Sequence, residues 1–132
     1  MKSQCYCNSL RTAARKVTAL YDQALASVGV NLSQFSMLRR LERAGEVSIT
    51  ELSRLCELDR STTGRNVKVL ERMGLVTAVA GEDQREATLS LSKRGRHVLD
   101  EGAPHWKRAQ DEIERKLGSR RARELLSLGD DL

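Results

Sequence analysis

From Leu10 to Val28, apolar residues recur every three or four positions, at Leu10, Ala13, Ala14, Val17, Leu20, Tyr21, Ala24, Leu25 and Val28. That spacing predicts an amphipathic helix, because side chains three and four apart share one helix face. Gly29 marks its stop. Asn31 then has the chemistry of a cap, with Gln34 placed to bond back, and a second helix from about Leu32 to Ala44 would bury Phe35, Leu38 and Leu41. Ser48 and Glu51 repeat the cap spacing, and Ile49, Leu52, Leu55 and Cys56 predict the buried stripe of a short third helix.

A fourth helix follows in "LDRSTTGRNVKVLERMGLV", with Asp59 as its cap and Gly74 past its end. Val67 and Leu70 fall on one side of it, whereas Thr62, Arg65, Asn66, Lys68 and Val69 fall on the other. Two short helices, a tight joint around Leu58 and Asp59, and a polar second helix make a helix-turn-helix pattern. Next come two predicted strands, Leu75 to Ala80 and Ala87 to Leu91, flanking the polar tip "GEDQRE". A β-hairpin in that place is a wing.

The last third returns to helical spacing. Leu99, Ala103, Trp106, Gln110, Ile113 and Leu117 step by four and three, Pro104 is expected to interrupt and bend this helix, and "GSRRARELLSLGDDL" predicts a short final one. An apolar stripe at each end of the chain exceeds what a small winged unit needs, and pairing with a second copy would bury both. The expected fold is mainly α: a winged helix-turn-helix over about 32–91 with a two-stranded wing, and dimerisation helices over about 9–28 and 92–129. The 132 residues suit a single domain.

Composition narrows the function. Apolar residues make up 39% of the chain and charged residues 31%, which predicts a folded, soluble protein, and aromatics at 3% leave the core to Leu, Val and Ala. A formal charge of +5 invites a polyanionic partner. No stretch approaches the roughly 18 apolar residues of a membrane span, and "MKSQCYCNSL" has no signal-peptide core, so the expected location is cytoplasmic. No metal-protease motif, phosphate-cradling loop or nucleophile elbow occurs, and the expectation is a protein with neither catalytic residues nor a cofactor.

The run "TELSRLCELDRSTTGRNVKVLERMGLV" followed by "EDQREATLSLSKRG" closely resembles the winged core of MarR-type transcriptional regulators. The likeness covers roughly Leu32 to Gly95: the Asp-x-Ser-Thr start of the fourth helix, Arg65 within it, "LERMGLV", the Asp83-Gln84-Arg85 wing motif and the Leu-Ser-Lys-x-Gly step. The resemblance implies a homodimer held by its terminal helices. It also implies binding to pseudo-palindromic double-stranded operators, usually as a repressor released by small ligands or oxidants.

The expected DNA-binding residues are Ser61, Thr62, Thr63, Arg65, Asn66, Lys68, Asp83 and Arg85. The hydroxyls lie in a first helical turn, whose N–H groups favour phosphate, and can bond phosphates or base edges. Arg65 suits guanine and Asn66 adenine. By the resemblance, Arg85 enters the minor groove; Asp83, two residues back, is placed to orient Arg85 or its own loop by hydrogen bonding. Arg72, Lys93, Arg94 and Arg96 fit either phosphate contacts or a solvated face. Gly64, costly inside a helix, fits close approach to DNA or to a neighbouring helix.

Tyr21, Phe35 and Trp106 are the ligand-pocket candidates that the resemblance implies. Cys5 and Cys7 are redox candidates, and Cys7 is placed similarly to the reactive cysteine of the family's peroxide-sensing branch. That branch opens its second helix with two tyrosines, where this chain has Leu32 and Phe35. Three cysteines also leave open a thiolate metal site or plain inert thiols. From another class, a winged helix that binds protein instead of DNA fits the same pattern.

Overall fold

The computed structural model describes residues 4–81 and 87–132. Six helices and three short strands follow the chain: α1 (Tyr6–Leu25), α2 (Leu32–Ala44), β1 (Val47–Ser48), α3 (Ile49–Cys56), α4 (Arg60–Arg72), β2 (Val76–Val79), β3 (Thr88–Leu91), α5 (Lys93–Leu117) and α6 (Ser119–Ser127). A 3-10 turn, Ala26–Val28, extends α1 to the predicted stop at Gly29, whose φ is +81°.

Local side chains set the helix starts. Asn31 accepts from the Gln34 N–H at 2.9 Å while the Gln34 side chain takes the Asn31 N–H at 3.0 Å, the predicted reciprocal cap. Ser48 accepts from the Glu51 N–H at 3.1 Å at the head of α3. A cap that spacing does not reveal comes from ten residues upstream, where Asp22 on α1 accepts the Leu32 N–H at 2.7 Å and ties α1 to α2. The α3–α4 joint is made by Glu57 at φ +55°, a left-handed conformation usually left to glycine, and the Leu58 N–H closes it onto the Ser53 carbonyl.

The wing is part of a three-stranded antiparallel sheet in the order β1-β3-β2. Its register pairs Val76 with Leu91 and Val79 with Thr88, while β1 sets Val47 opposite Leu89 and Ser48 opposite Thr88. Leu89 and Leu91 point into the core, as their alternation predicts.

The main core gathers Phe35, Leu38 and Leu41 of α2, Leu52 of α3, Val67 and Leu70 of α4, and the inner faces of the sheet and α5. A smaller cluster joins Tyr21 of α1 to Ala109 and Ile113 of α5, and Trp106 packs against both. The stripe of α5 departs from the expected heptad. Gly102 and Ala109 are buried, whereas Ala103 is exposed and Gln110 only half-buried. Gly102 has a steric reason, since a Cβ there would stand 2.6 Å from the Phe35 ring.

Pro104 does not interrupt the helix: α5 runs unbroken from Lys93 to Leu117. The proline removes the donor for the Asp100 carbonyl, but both residues are exposed, so water can take that place. On α3, Leu55 and Cys56 are only half-buried, and Ser53 is buried beside Leu52 with its hydroxyl donating to the Ile49 carbonyl at 2.8 Å. None of the described helices is long and apolar enough to cross a membrane.

Candidate nucleic-acid interface

The helix α4 is anchored from below by Thr63, Val67 and Leu70, each at 1% exposure or less. On its opposite side Ser61, Arg65, Lys68 and Arg72 succeed one another at spacings of four, three and four, and all are exposed. Thr62 and Asn66 are half-buried on one flank of that line, and Val69 is exposed beside them. Asn66 faces partly toward α2, lining a groove with Ser33 and Met37. The arrangement is a cationic helix face free to enter a groove.

Thr63 corrects the expectation that it belongs to this face. Its side chain is fully buried, and its hydroxyl donates to the Asp59 carbonyl at 2.9 Å. Thr63, Val67 and Leu70 stand at i, i+4 and i+7, the spacing of a buried stripe, and the hydroxyl is accommodated there by bonding back along its own helix.

Asp59 organises the first turn. One carboxylate oxygen accepts the Thr62 N–H at 2.7 Å and the Ser61 hydroxyl at 2.8 Å, and the other accepts the Thr62 hydroxyl at 2.8 Å. Led by the Thr62 N–H, then the Ser61 and Thr62 hydroxyls, with Arg65 adding attraction, these bonds hold the carboxyl down to about 2. Arg65 is drawn into the same cluster, its Nη2 donating to Thr62 Oγ1 at 3.2 Å.

Gly64 is half-exposed, and a Cβ built on it would meet no atom of the described residues within 4 Å. Packing against a neighbouring described helix of the same chain therefore does not explain this glycine. Asp83 and Arg85 lie outside the described residues. The strands leading toward them expose Thr77, Ala78 and Val79, and the Thr77 and Ser90 hydroxyls meet across them at 3.0 Å. Lys93, Arg94 and Arg96 are exposed at the head of α5, with Arg94 beside Gly74.

The pocket candidates separate. Phe35 and Trp106 share an open cleft of about 430 Å³ with Arg39, Glu42 and Asp100, and the Arg39 guanidinium sits 4.4 Å above the Trp106 ring. Tyr21 does not line that cleft. It lies in the smaller cluster, its ring centre 6.4 Å from that of Trp106, and burial raises its pKa against the pull of Arg39.

Cys5 precedes α1 and Cys7 lies in its first turn, both exposed, whereas Cys56 is half-buried and burial raises its thiol despite nearby Arg40. Among the described residues no group of three or more His, Cys, Asp or Glu is placed to hold a metal ion. The cues missed in the sequence were the buried spacing of Thr63 and the fact that Arg72 continues the open line of Ser61, Arg65 and Lys68.

Comparison with known proteins gives this geometry a context. A family model described as the MarR family matches residues 28–86. An HTH-type transcriptional regulator of Bacillus subtilis, YwoH, described as uncharacterized, is 28% identical over 94 residues, which is 71% of this chain and 69% of that protein. The Mycobacterium tuberculosis transcriptional regulator MosR, solved in complex with DNA, superposes with a TM-score of 0.84 at 33% identity, covering 97% of this chain and 96% of that one. A mutant of Escherichia coli MarR, complexed with operator DNA, has a TM-score of 0.85 at 17% identity over 94% of this chain and 90% of its own, a likeness of fold.

Proposed function

Because the chain belongs to the MarR family, a family of transcriptional regulators, we propose that it is a sequence-specific double-stranded DNA-binding regulator. It acts as a homodimer on a pseudo-palindromic operator, in the cytoplasm, as a repressor that an effector releases. The observation that carries this reading is the exposed line of Ser61, Arg65, Lys68 and Arg72 on a helix whose other side is locked into the core. A similar structure solved in complex with DNA supports it.

The apolar surface left open on α1 and near the C-terminus supports the dimer. Leu10, Leu125 and Leu128 line one continuous cleft with Ala13, Val17 and Leu117, and Leu126 beside it is 82% exposed. A second copy would cover them and bring two α4 helices about one duplex turn, roughly 34 Å, apart. Arg85 then reaches the minor groove from the wing, with Asp83 steadying it. The effector enters the cleft lined by Phe35 and Trp106, where the Arg39 guanidinium lies over the Trp106 ring.

A gel-shift with the chain's own upstream DNA tests this directly. A specific complex that survives excess nonspecific duplex at moderate salt is expected, and its absence would overturn the reading. Arg85→Ala should lower affinity and flatten the plot of log affinity against log salt by about one unit. An unchanged slope removes Arg85 from the interface. Gly64→Ala should raise helix stability by about 1 kcal/mol, since none of the described residues obstructs the methyl group, yet weaken operator binding severalfold by holding the backbone off the duplex. Thermal melts beside anisotropy titrations check both halves, and undiminished affinity would show that the backbone stays clear of DNA.

A further inference from the structure

We propose that Asp59 decides what the first turn of α4 reads. By accepting the hydroxyl hydrogen bonds of Ser61 and Thr62, it leaves both oxygens able only to accept, so this turn selects bases that present an amino group in the major groove, adenine or cytosine, and passes over phosphate. The inference rests on the DNA-reading function proposed above and deepens it.

A hydroxyl has a single proton and two acceptor lone pairs. In both residues that proton is held by a charged carboxylate at 2.8 Å, a bond of the stronger, charge-assisted kind. With its carboxyl held down to about 2, Asp59 is ionised near neutral pH and can accept both hydroxyl hydrogen bonds. A phosphate oxygen is likewise an acceptor, and a negative one, so it finds no proton at these hydroxyls and meets the Asp59 charge behind them. The Thr62 N–H, a helix-end donor that would otherwise attract an anion, is already bound to the same carboxylate at 2.7 Å.

Base edges differ. Adenine N6 and cytosine N4 are the major-groove donors, whereas thymine O4 and guanine O6 and N7 are acceptors that would oppose these hydroxyls. Thr62 Oγ1 takes one bond from Arg65 and keeps one lone pair, while Ser61 keeps both. The helix thus presents acceptors at its first turn and a donor, Arg65, one turn on. Two adjacent reading positions of opposite polarity follow from one carboxylate.

The test is binding selection by the full chain from a randomised duplex pool, with wild type, Ser61→Ala, Thr62→Val and Asp59→Asn compared. Positions where the Ser61 or Thr62 variant flattens the base preference mark the bases opposite the first turn. There, wild type should favour adenine or cytosine over the flipped pair by about fivefold, the worth of one net hydrogen bond. Asp59→Asn keeps an equally good helix cap but turns an amide N–H toward a hydroxyl, so the preference at those positions should collapse or invert.

An unchanged preference in Asp59→Asn overturns the inference. It also fails if the hydroxyl variants weaken binding equally for all sequences while base choice stays intact, because the hydroxyls then hold phosphate. Both of these failures leave wild type binding specific DNA. Failure of wild type to enrich any sequence instead overturns the DNA-reading function, and this inference with it.

Discussion

Arg65→Ala is expected to weaken operator binding between about tenfold and a hundredfold and to relax base choice at the position it reads, the loss of one bidentate contact. The side chain is exposed, and its protein partner is Thr62 Oγ1 at 3.2 Å, so removing it leaves no buried group unpaired. The fold should survive, with an unchanged melting curve. Anisotropy titrations against the operator and its single-base variants check the prediction. A loss equal across all sequences, with a flatter salt dependence, would make Arg65 a phosphate contact and not a reader.

Gly95→Ala should have the largest effect on stability, about 1–3 kcal/mol or more, although it adds a single methyl group. A Cβ at Gly95 would stand 2.2 Å from the Leu75 carbonyl oxygen and 3.2 Å from Leu91 Cδ2. The obstacle is backbone, which cannot swing aside as a side chain does. That carbonyl also accepts the Ser92 N–H at 3.0 Å, and Ser92 Oγ both accepts from the Gly95 N–H and donates to the Gly74 carbonyl. The methyl group therefore presses on the knot where α4, β2 and α5 meet. Urea unfolding should show a clearly lower midpoint, opposite in direction to Gly64→Ala. An unchanged midpoint would mean that α5 can start elsewhere at no cost.

These two glycines show what a sequence reveals and what it withholds. Both interrupt helical residues, and nothing in the letters says that one faces open space while the other lies against a carbonyl. The helices themselves were legible because caps and periodicity are local: α2 has the predicted bounds, and the Asn31–Gln34 cap is present. The heptad of α5 was less so, since Gly102 is buried through the fit of the distant Phe35 ring. Asp22 capping α2, and Glu57 taking a left-handed turn without glycine, are set by tertiary placement.

Within the candidate site, Arg65 and Lys68 of α4 are exposed as their spacing predicts, whereas the hydroxyl of Thr63 is buried. Three hydroxyls in a row look alike as letters, yet Thr63 falls on the stripe of Val67 and Leu70 while Ser61 and Thr62 turn to Asp59. Arg72 looks in the sequence like any solvated cation, yet it stands one turn beyond Lys68 on the same line. The strand β1 is not legible in the sequence because two residues carry no alternation, and its identity comes from pairing with β3.

That small strand bears on how the hairpin can vary. Ser48 lies opposite Thr88, which in turn faces Val79, so the ribbon is braced on its second edge out to its last described pair. Inserting or deleting residues between Val79 and Thr88 would change how far the appendage extends while leaving its aim fixed. A one-residue slip within the ribbon would turn Leu89 and Leu91 out to solvent. Pairing on both edges of β3 sets the direction of the ribbon, whatever the length of the loop.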